Sequence, residues 1–190
     1  MTLTSNKGLD GKLRLGNADI MEDIKVSGGY RLSTNLKDND WLMQFNNLRR
    51  RLDWGLTYYR NVQQVNFGID SVGSYPGRVF SNLYQVNLSY PFDVTKSIRL
   101  NVGMRKDREV VSTFDDFSLK TPDFSKTYGL IHLEYVYDNT LNPAQNIWDG
   151  IRYKAYIDWN SQISKLAANV GRYTFNFGFD PRDYYPIFRN

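Results

Sequence analysis

Apolar and polar residues alternate singly along most of this chain. In 97–106, Ile98, Leu100, Val102 and Met104 are apolar, and Arg99, Asn101, Gly103 and Arg105 between them are charged, polar or Gly. A period of two places these two sets on opposite faces of an extended strand. Eight segments carry the pattern, at 24–33, 40–48, 52–62, 81–92, 97–110, 127–138, 151–162 and 168–182. In 81–92, Tyr84, Val86, Leu88 and Tyr90 alternate with Gln85, Asn87 and Ser89. In 127–138, Ile131, Leu133, Tyr135 and Tyr137 alternate with His132 and Glu134. Ile151, Tyr153, Ala155, Ile157 and Trp159 oppose Arg152, Lys154 and Asp158, and Tyr173, Phe175, Phe177 and Phe179 oppose Arg172, Thr174, Asn176 and Asp180. No 3.6-residue pattern competes, and scattered glycines and aromatics suit strands better than helices. The chain reads as all-β and antiparallel, with a polar N-terminal segment at 1–23 and one β domain at 24–190.

The connections alternate in length. Those at 48–51 and 92–96 are tight. Those at 62–81 and 109–126 are long and rich in polar or turn-forming residues, and 137–150 is of medium length with Asn139, Pro143 and Gly150. Short turns at one end and long loops at the other are the asymmetry of an up-and-down transmembrane barrel in a bacterial outer membrane. On that reading 49–51 and 93–96 lie on the periplasmic rim, and the loops 62–81 and 109–126 face outward. Tyr84, Tyr90, Tyr137 and Trp159, near the ends of apolar stretches, are the expected girdle, and Leu100, Phe175 and Phe177 are expected to face lipid. A soluble lipocalin-like barrel would also alternate, with its apolar face inward and an apolar ligand inside. A stand-alone eight-stranded barrel for adhesion or envelope stability is the other alternative.

Composition bears on this choice in two ways. Mean hydropathy is −0.54, which argues for a soluble protein unless only alternate residues meet lipid, as in a barrel. No stretch approaches the roughly 20 apolar residues of a membrane helix. The net charge of +4 comes from 24 basic residues interleaved with 20 acidic ones, so no basic stripe for nucleic acid is expected. The opening residues lack the apolar core of a secretory leader. An outer-membrane protein needs one, so the expectation is either a cytosolic chain or a true N-terminus that lies upstream of this sequence.

Candidate chemistry is sparse. With no Cys there is neither a disulfide framework nor a thiolate site. His132, the single histidine, stands two residues from Glu134 but near no nucleophile-elbow motif. A lumen-facing polar role is the expectation, and no enzyme. Asp115 and Asp116 lack a calcium-loop spacing, and Asp138, Asp149, Asp180 and Asp183 lack His or Cys partners. No metal or cofactor is expected. Arg49, Arg50 and Arg51 could meet anionic headgroups or form a charged turn that blocks edge pairing. Arg99, Arg105, Arg152, Lys154, Arg172 and Arg182 are expected to pair with Asp53, Glu134, Asp158 and Asp180, with His132 among them, filling a lumen.

Five stretches occur in order: F-N-N-L-R-R-R-L-D-W-G-L-T-Y-Y-R (45–60), S-Y-P-F-D (89–93), Y-V-Y-D-N-T-L-N-P (135–143), D-G-I-R-Y (149–153) and F-D-P-R-D-Y-Y-P-I-F (179–188). Together they resemble the barrel domain of the outer-membrane assembly and bacterial surface-antigen superfamily, over roughly residues 40–188. The likeness is strongest to the barrel that follows a TolB-like propeller in some Bacteroidota proteins. The resemblance implies a barrel of about sixteen strands, working on polypeptides at the outer membrane. Its partners would be lipid, client chains and other envelope proteins. The family's later strands and its lumen-plugging Arg-Gly loop have no counterpart here, so a fragment is expected.

Overall fold

The computed structural model describes residues 10–33, 38–69, 73–112, 122–144, 147–164 and 173–185. They form strands and the turns between them: β1 (Asp10–Ala18), β2 (Ile24–Ser33), β3 (Asn39–Asn47), β4 (Asp53–Ile69), β5 (Gly73–Pro91), β6 (Lys96–Val111), β7 (Phe124–Asp138), β8 (Leu141–Ala144), β9 (Ile147–Gln162) and β10 (Tyr173–Tyr184). Each of the nine long strands pairs antiparallel with the next, β7 passing directly to β9, while short β8 pairs with the start of β9. The fold is one up-and-down meander. Among the described residues β1 and β10 do not pair with each other, so the sheet is not closed.

All eight expected segments hold a strand, and the structure adds a ninth. β1 lies inside the stretch 1–23 that reads as polar, and it pairs with β2 from Asp10 opposite Ser33 to Ala18 opposite Lys25. Only Leu13 and Leu15 alternate there, too short a run for a periodic signal. The neighbouring backbone ladder supplies what the side chains do not. The stretch 62–81 is not a long loop. β4 and β5 continue past the apolar stretch as a paired hairpin, from Gln63 opposite Val79 to Ile69 opposite Gly73. Val65, Phe67 and Ile69 alternate there with Gln64, Asn66 and Gly68, so the period of two itself runs on to the end of β4.

The opposite end carries the tight turns. At 19–23, Glu22 adopts φ 57°, and Lys25 Nζ stands 2.8 Å from its carboxylate, holding that carboxyl below its ordinary range. At 92–95, Phe92 N–H donates to the Lys96 carbonyl. Arg51 donates from Nε to the Pro91 carbonyl at 3.1 Å and from Nη2 to the Phe92 carbonyl at 2.7 Å. It thereby ties the 48–52 turn to the 92–95 turn, with Tyr90 beneath its guanidinium. One of the three clustered arginines is thus a structural clasp.

Cross-strand partners share a face, so the register sorts every side chain. One row runs Val26, Phe45, Leu56, Val86, Val102, Ile131, Trp159 and Phe175 from β2 to β10. The next runs Trp54, Leu88, Leu100, Leu133, Ile157 and Phe177 from β4 to β10. Nothing covers these rows: Leu56, Val86, Val102, Leu133, Ile157, Phe175 and Phe177 are all exposed, Phe177 at 73%. Val62 and Val136 are the only buried hydrophobic side chains among the described residues. The polar face is the more crowded one. Glu134 is 7% exposed against 39% for neighbouring Leu133, and Gly55 is buried between exposed Trp54 and Leu56. The sheet packs its polar side chains together and splays its apolar ones.

Candidate functional site

The densest chemistry lies on the polar face where β6, β7, β9 and β10 run side by side. Register opposes Arg99 to Glu134, Asn101 to His132, His132 to Asp158 and Lys154 to Asp180. Glu134 is the hub. Its Oε1 lies 3.0 Å from Arg99 Nη1, and its Oε2 lies 3.4 Å from Lys154 Nζ and 3.8 Å from His132 Nε2. The other imidazole nitrogen, Nδ1, hydrogen-bonds Asp158. The Tyr156 ring lies beside the imidazole at 5.8 Å and under Lys154 Nζ at 5.6 Å. It also lies over Gly178, its cross-strand partner, where a side chain would collide with the ring. Gly178 is therefore the gap that lets Tyr156 wall the cluster.

This arrangement holds charge in place. Both imidazole nitrogens face carboxylates, Nδ1 toward Asp158 and Nε2 toward Glu134. Among the described residues no group of three or more His, Cys, Asp or Glu side chains is set to hold a metal. Two cations and two carboxylates balance, and Glu134 tolerates its burial because Arg99 hydrogen-bonds one of its oxygens and the Lys154 ammonium lies beside the other.

The other expected members find different partners. Arg105 Nε pairs with Asp107 at 3.1 Å and stacks over Tyr128, and Asp107 also accepts from Ser81 Oγ at 2.7 Å. Arg152 pairs with Asp138 at 3.5 Å, and Arg182 with Asp180 on its own strand at 2.8 Å. Asp53 has no ion-pair partner among the described residues; it stands opposite Ser89, whose other cross-strand neighbour, Arg99, pairs with Glu134 instead. Arg172, Asp115 and Asp116 lie outside the described residues. The sequence reading missed Asp107, Tyr156 and the Arg31–Asp40 pair at 2.8 Å. The last was accessible in principle: within the β2–β3 hairpin, Ile24 faces Asn47 and Arg31 faces Asp40, so fixing one pair fixes the other. Toward β3–β5 the polar face turns neutral, with Asn87 Nδ2 donating to Thr57 Oγ1 at 2.8 Å and Ser27 Oγ to Gln44 at 3.4 Å.

The opposite face has its own order. The two aliphatic-rich rows are bracketed by aromatic ones. Toward the tight turns stand Tyr90, Tyr135 and Phe179, then Tyr137 stacked on Tyr153 at 4.9 Å. Toward the other end stand Tyr58 against Tyr84 at 5.1 Å, then Tyr30 against Trp41 at 4.7 Å. Tyr84, Tyr90, Leu100, Tyr137, Phe175 and Phe177 all lie on this face, the tyrosines in its flanking rows. Trp159 stands one row further in, beside Phe175 at 6.4 Å. On β6 the face reads Lys96, Ile98, Leu100, Val102, Met104, Lys106, apolar residues between two lysines.

No family model, no curated protein and no solved structure matches the chain.

Proposed function

We propose that this chain is a membrane-spanning segment of an outer-membrane β-barrel, with the apolar face on lipid and the Glu134 cluster on the lumen side. The observation that carries this reading is the layered apolar face: exposed Leu, Val and Ile rows between aromatic rows, the longer row crossing eight strands, with almost no buried core among the described residues. In water that surface would be a severe aggregation liability. In a bilayer, aliphatic rows belong at hydrocarbon depth, and Tyr and Trp belong at the interfaces. The β6 lysines give a ruler. Ten residues separate them, about 34 Å along the strand and about 26 Å at a 40° tilt. That matches the roughly 25 Å apolar band of such barrels, and lysines at both borders can extend their ammonium groups into the headgroups. A lipocalin-like barrel would need the apolar face to be the crowded one, and here it is the splayed one.

Open edges do not persist in hydrocarbon, because each unpaired backbone group there costs several kcal/mol. On this reading β1 and β10 are completed by further strands, and the nine strands are one wall of a larger barrel. The role is non-enzymatic: a wall and lumen lining, within a barrel that inserts or moves polypeptides. The resemblance of 45–60, 89–93, 135–143, 149–153 and 179–188 supports that last step.

The test is to refold the full chain with and without lipid vesicles. The expected outcome is protease-protected β structure with heat-shifted gel mobility in vesicles, and aggregation without them. A folded, monomeric β protein in detergent-free buffer would overturn the reading.

A further inference from the structure

Just beyond the apolar band, at the end away from the tight turns, the outward face changes character within one row. Register aligns Tyr30, Trp41, Arg60, Asn82, Lys106 and Thr127 on successive strands β2 to β7. Every one can donate a hydrogen bond, two are cations, and none is a carboxylate. Among the described residues neither Arg60 nor Lys106 has an acidic partner. The Nε of Arg60 is buried with no hydrogen-bond partner, its guanidinium standing over Phe80 at 5.9 Å. The oxygen of Asn82 accepts from Tyr58 Oη at 3.3 Å, which leaves the amide to donate. Arg60 and Lys106 sit two strands apart, about 10 Å.

Directly below this row, the apolar face holds a groove of about 620 Å³. It lies across β2–β5, between the side chains of Met43, Phe45, Leu56, Tyr58 and Val86, and it opens where Gly28 has no side chain. A Cβ at Gly28 would meet only the Leu42 carbonyl, at 3.8 Å, so the gap is open space and not a close approach of backbone.

An apolar slot capped by unpaired cations matches one kind of molecule. We infer that this corner binds a phosphate-bearing membrane lipid, an acyl chain lying in the Gly28 groove and the headgroup phosphate held by Arg60, Asn82 and Lys106. The inference rests on the membrane reading above. The guanidinium and ammonium supply charge-assisted donors to phosphate oxygens, and the Tyr30–Trp41 pair borders the headgroup as an interfacial aromatic. This corner is distinct from the Arg49–Arg51 turn, which lies at the opposite end of the strands.

The experiment places the full chain in phosphatidylcholine nanodiscs doped with phosphatidic acid and counts retained lipids by native mass spectrometry. The wild-type chain is expected to retain phosphatidic acid in preference to phosphatidylcholine. Arg60→Gln and Lys106→Gln should each lower that preference about fivefold, the equivalent of one juxtamembrane cation. Gly28→Leu, which fills the groove without a backbone collision, should lower it as well. Lys12→Gln, an equal charge change on the polar face, should leave it unchanged. No preference in the wild type, or an equal loss with Lys12→Gln, overturns the lipid site and leaves the membrane reading standing. A chain that never inserts overturns both.

Discussion

At the residue scale, Glu134 shows how a carboxylate survives burial in this sheet. Its two oxygens meet Arg99 and Lys154 from the two adjacent strands and lie near His132 on its own strand. Removing the carboxylate leaves the Arg99 and Lys154 cations facing each other without a counter-charge, whereas removing one cation leaves the other in place. Glu134→Ala is therefore expected to destabilise the lipid-inserted protein by about 1–3 kcal/mol, more than Arg99→Ala, whose side chain is half exposed. Urea unfolding in vesicles measures the difference. A second residue-scale prediction concerns Gly178. Gly178→Val drives a side chain into the Tyr156 ring, with a cost of about 1–3 kcal/mol expected for overpacking. In the Tyr156→Ala background that cost should fall sharply. A double-mutant cycle showing simple additivity would mean that the ring does not lie over the glycine.

Alternation, the property of a strand as an element, decides which substitutions hurt. Leu100 and Asn101 are neighbours in sequence on opposite faces of β6. Leu100→Arg puts a charge among Leu88, Leu133 and Ile157, and is expected to cost about 2–4 kcal/mol near the bilayer midplane. Asn101→Arg stays on the polar face near His132 and should cost far less. Equal losses would mean that the two faces share one environment. The turns make a separate contribution. Arg51→Ala removes both carbonyl contacts that clasp 48–52 to 92–95. Because the site is exposed, the expected loss is about 1 kcal/mol, with faster proteolysis at both turns and none at the β4–β5 hairpin tip. Strand centres were legible in the sequence because burial against one medium enforces the period. Strand ends were read too short: β4 runs to Ile69 and β5 starts at Gly73, although Val65, Phe67 and Ile69 carry the alternation to the end of β4 and turn-forming residues begin only after it.

At the scale of the whole molecule, the open question is what meets β1 and β10. The chain has no Cys, so single cysteines placed on the edges report cleanly. With Leu13→Cys on β1 and Phe177→Cys on β10, a sheet that stays open should give no intrachain disulfide in vesicles. Bridges to a second copy carrying the same substitutions, or to an added edge strand that itself carries a cysteine, are the expected product. An efficient intrachain bridge would show that the nine strands close on themselves. The polar cluster belongs to this scale too, since it draws on β6, β7, β9 and β10 and exists only in the assembled sheet. Arg99, His132, Glu134, Lys154 and Asp158 come together on one face of the sheet. Asp53 and Arg99 flank Ser89 without pairing, and Arg105 and Arg152 find Asp107 and Asp138, partners no sequence spacing had suggested.

The sequence alone determined the strands' period, the two-sided character of each, and the neighbours joined by tight turns, because those depend on residues a few positions apart. The tertiary structure decided the rest. Register brings Glu134 to Arg99 across 35 positions, lines the aliphatic rows up between aromatic ones, and sets Arg60 beside Asn82 above an apolar groove. It also decided that 10–18 is a strand, since a weakly alternating segment is fixed by the hydrogen bonds of the strand beside it. Alternation says that each strand has two faces; only the pairing says what each face, taken across nine strands, becomes.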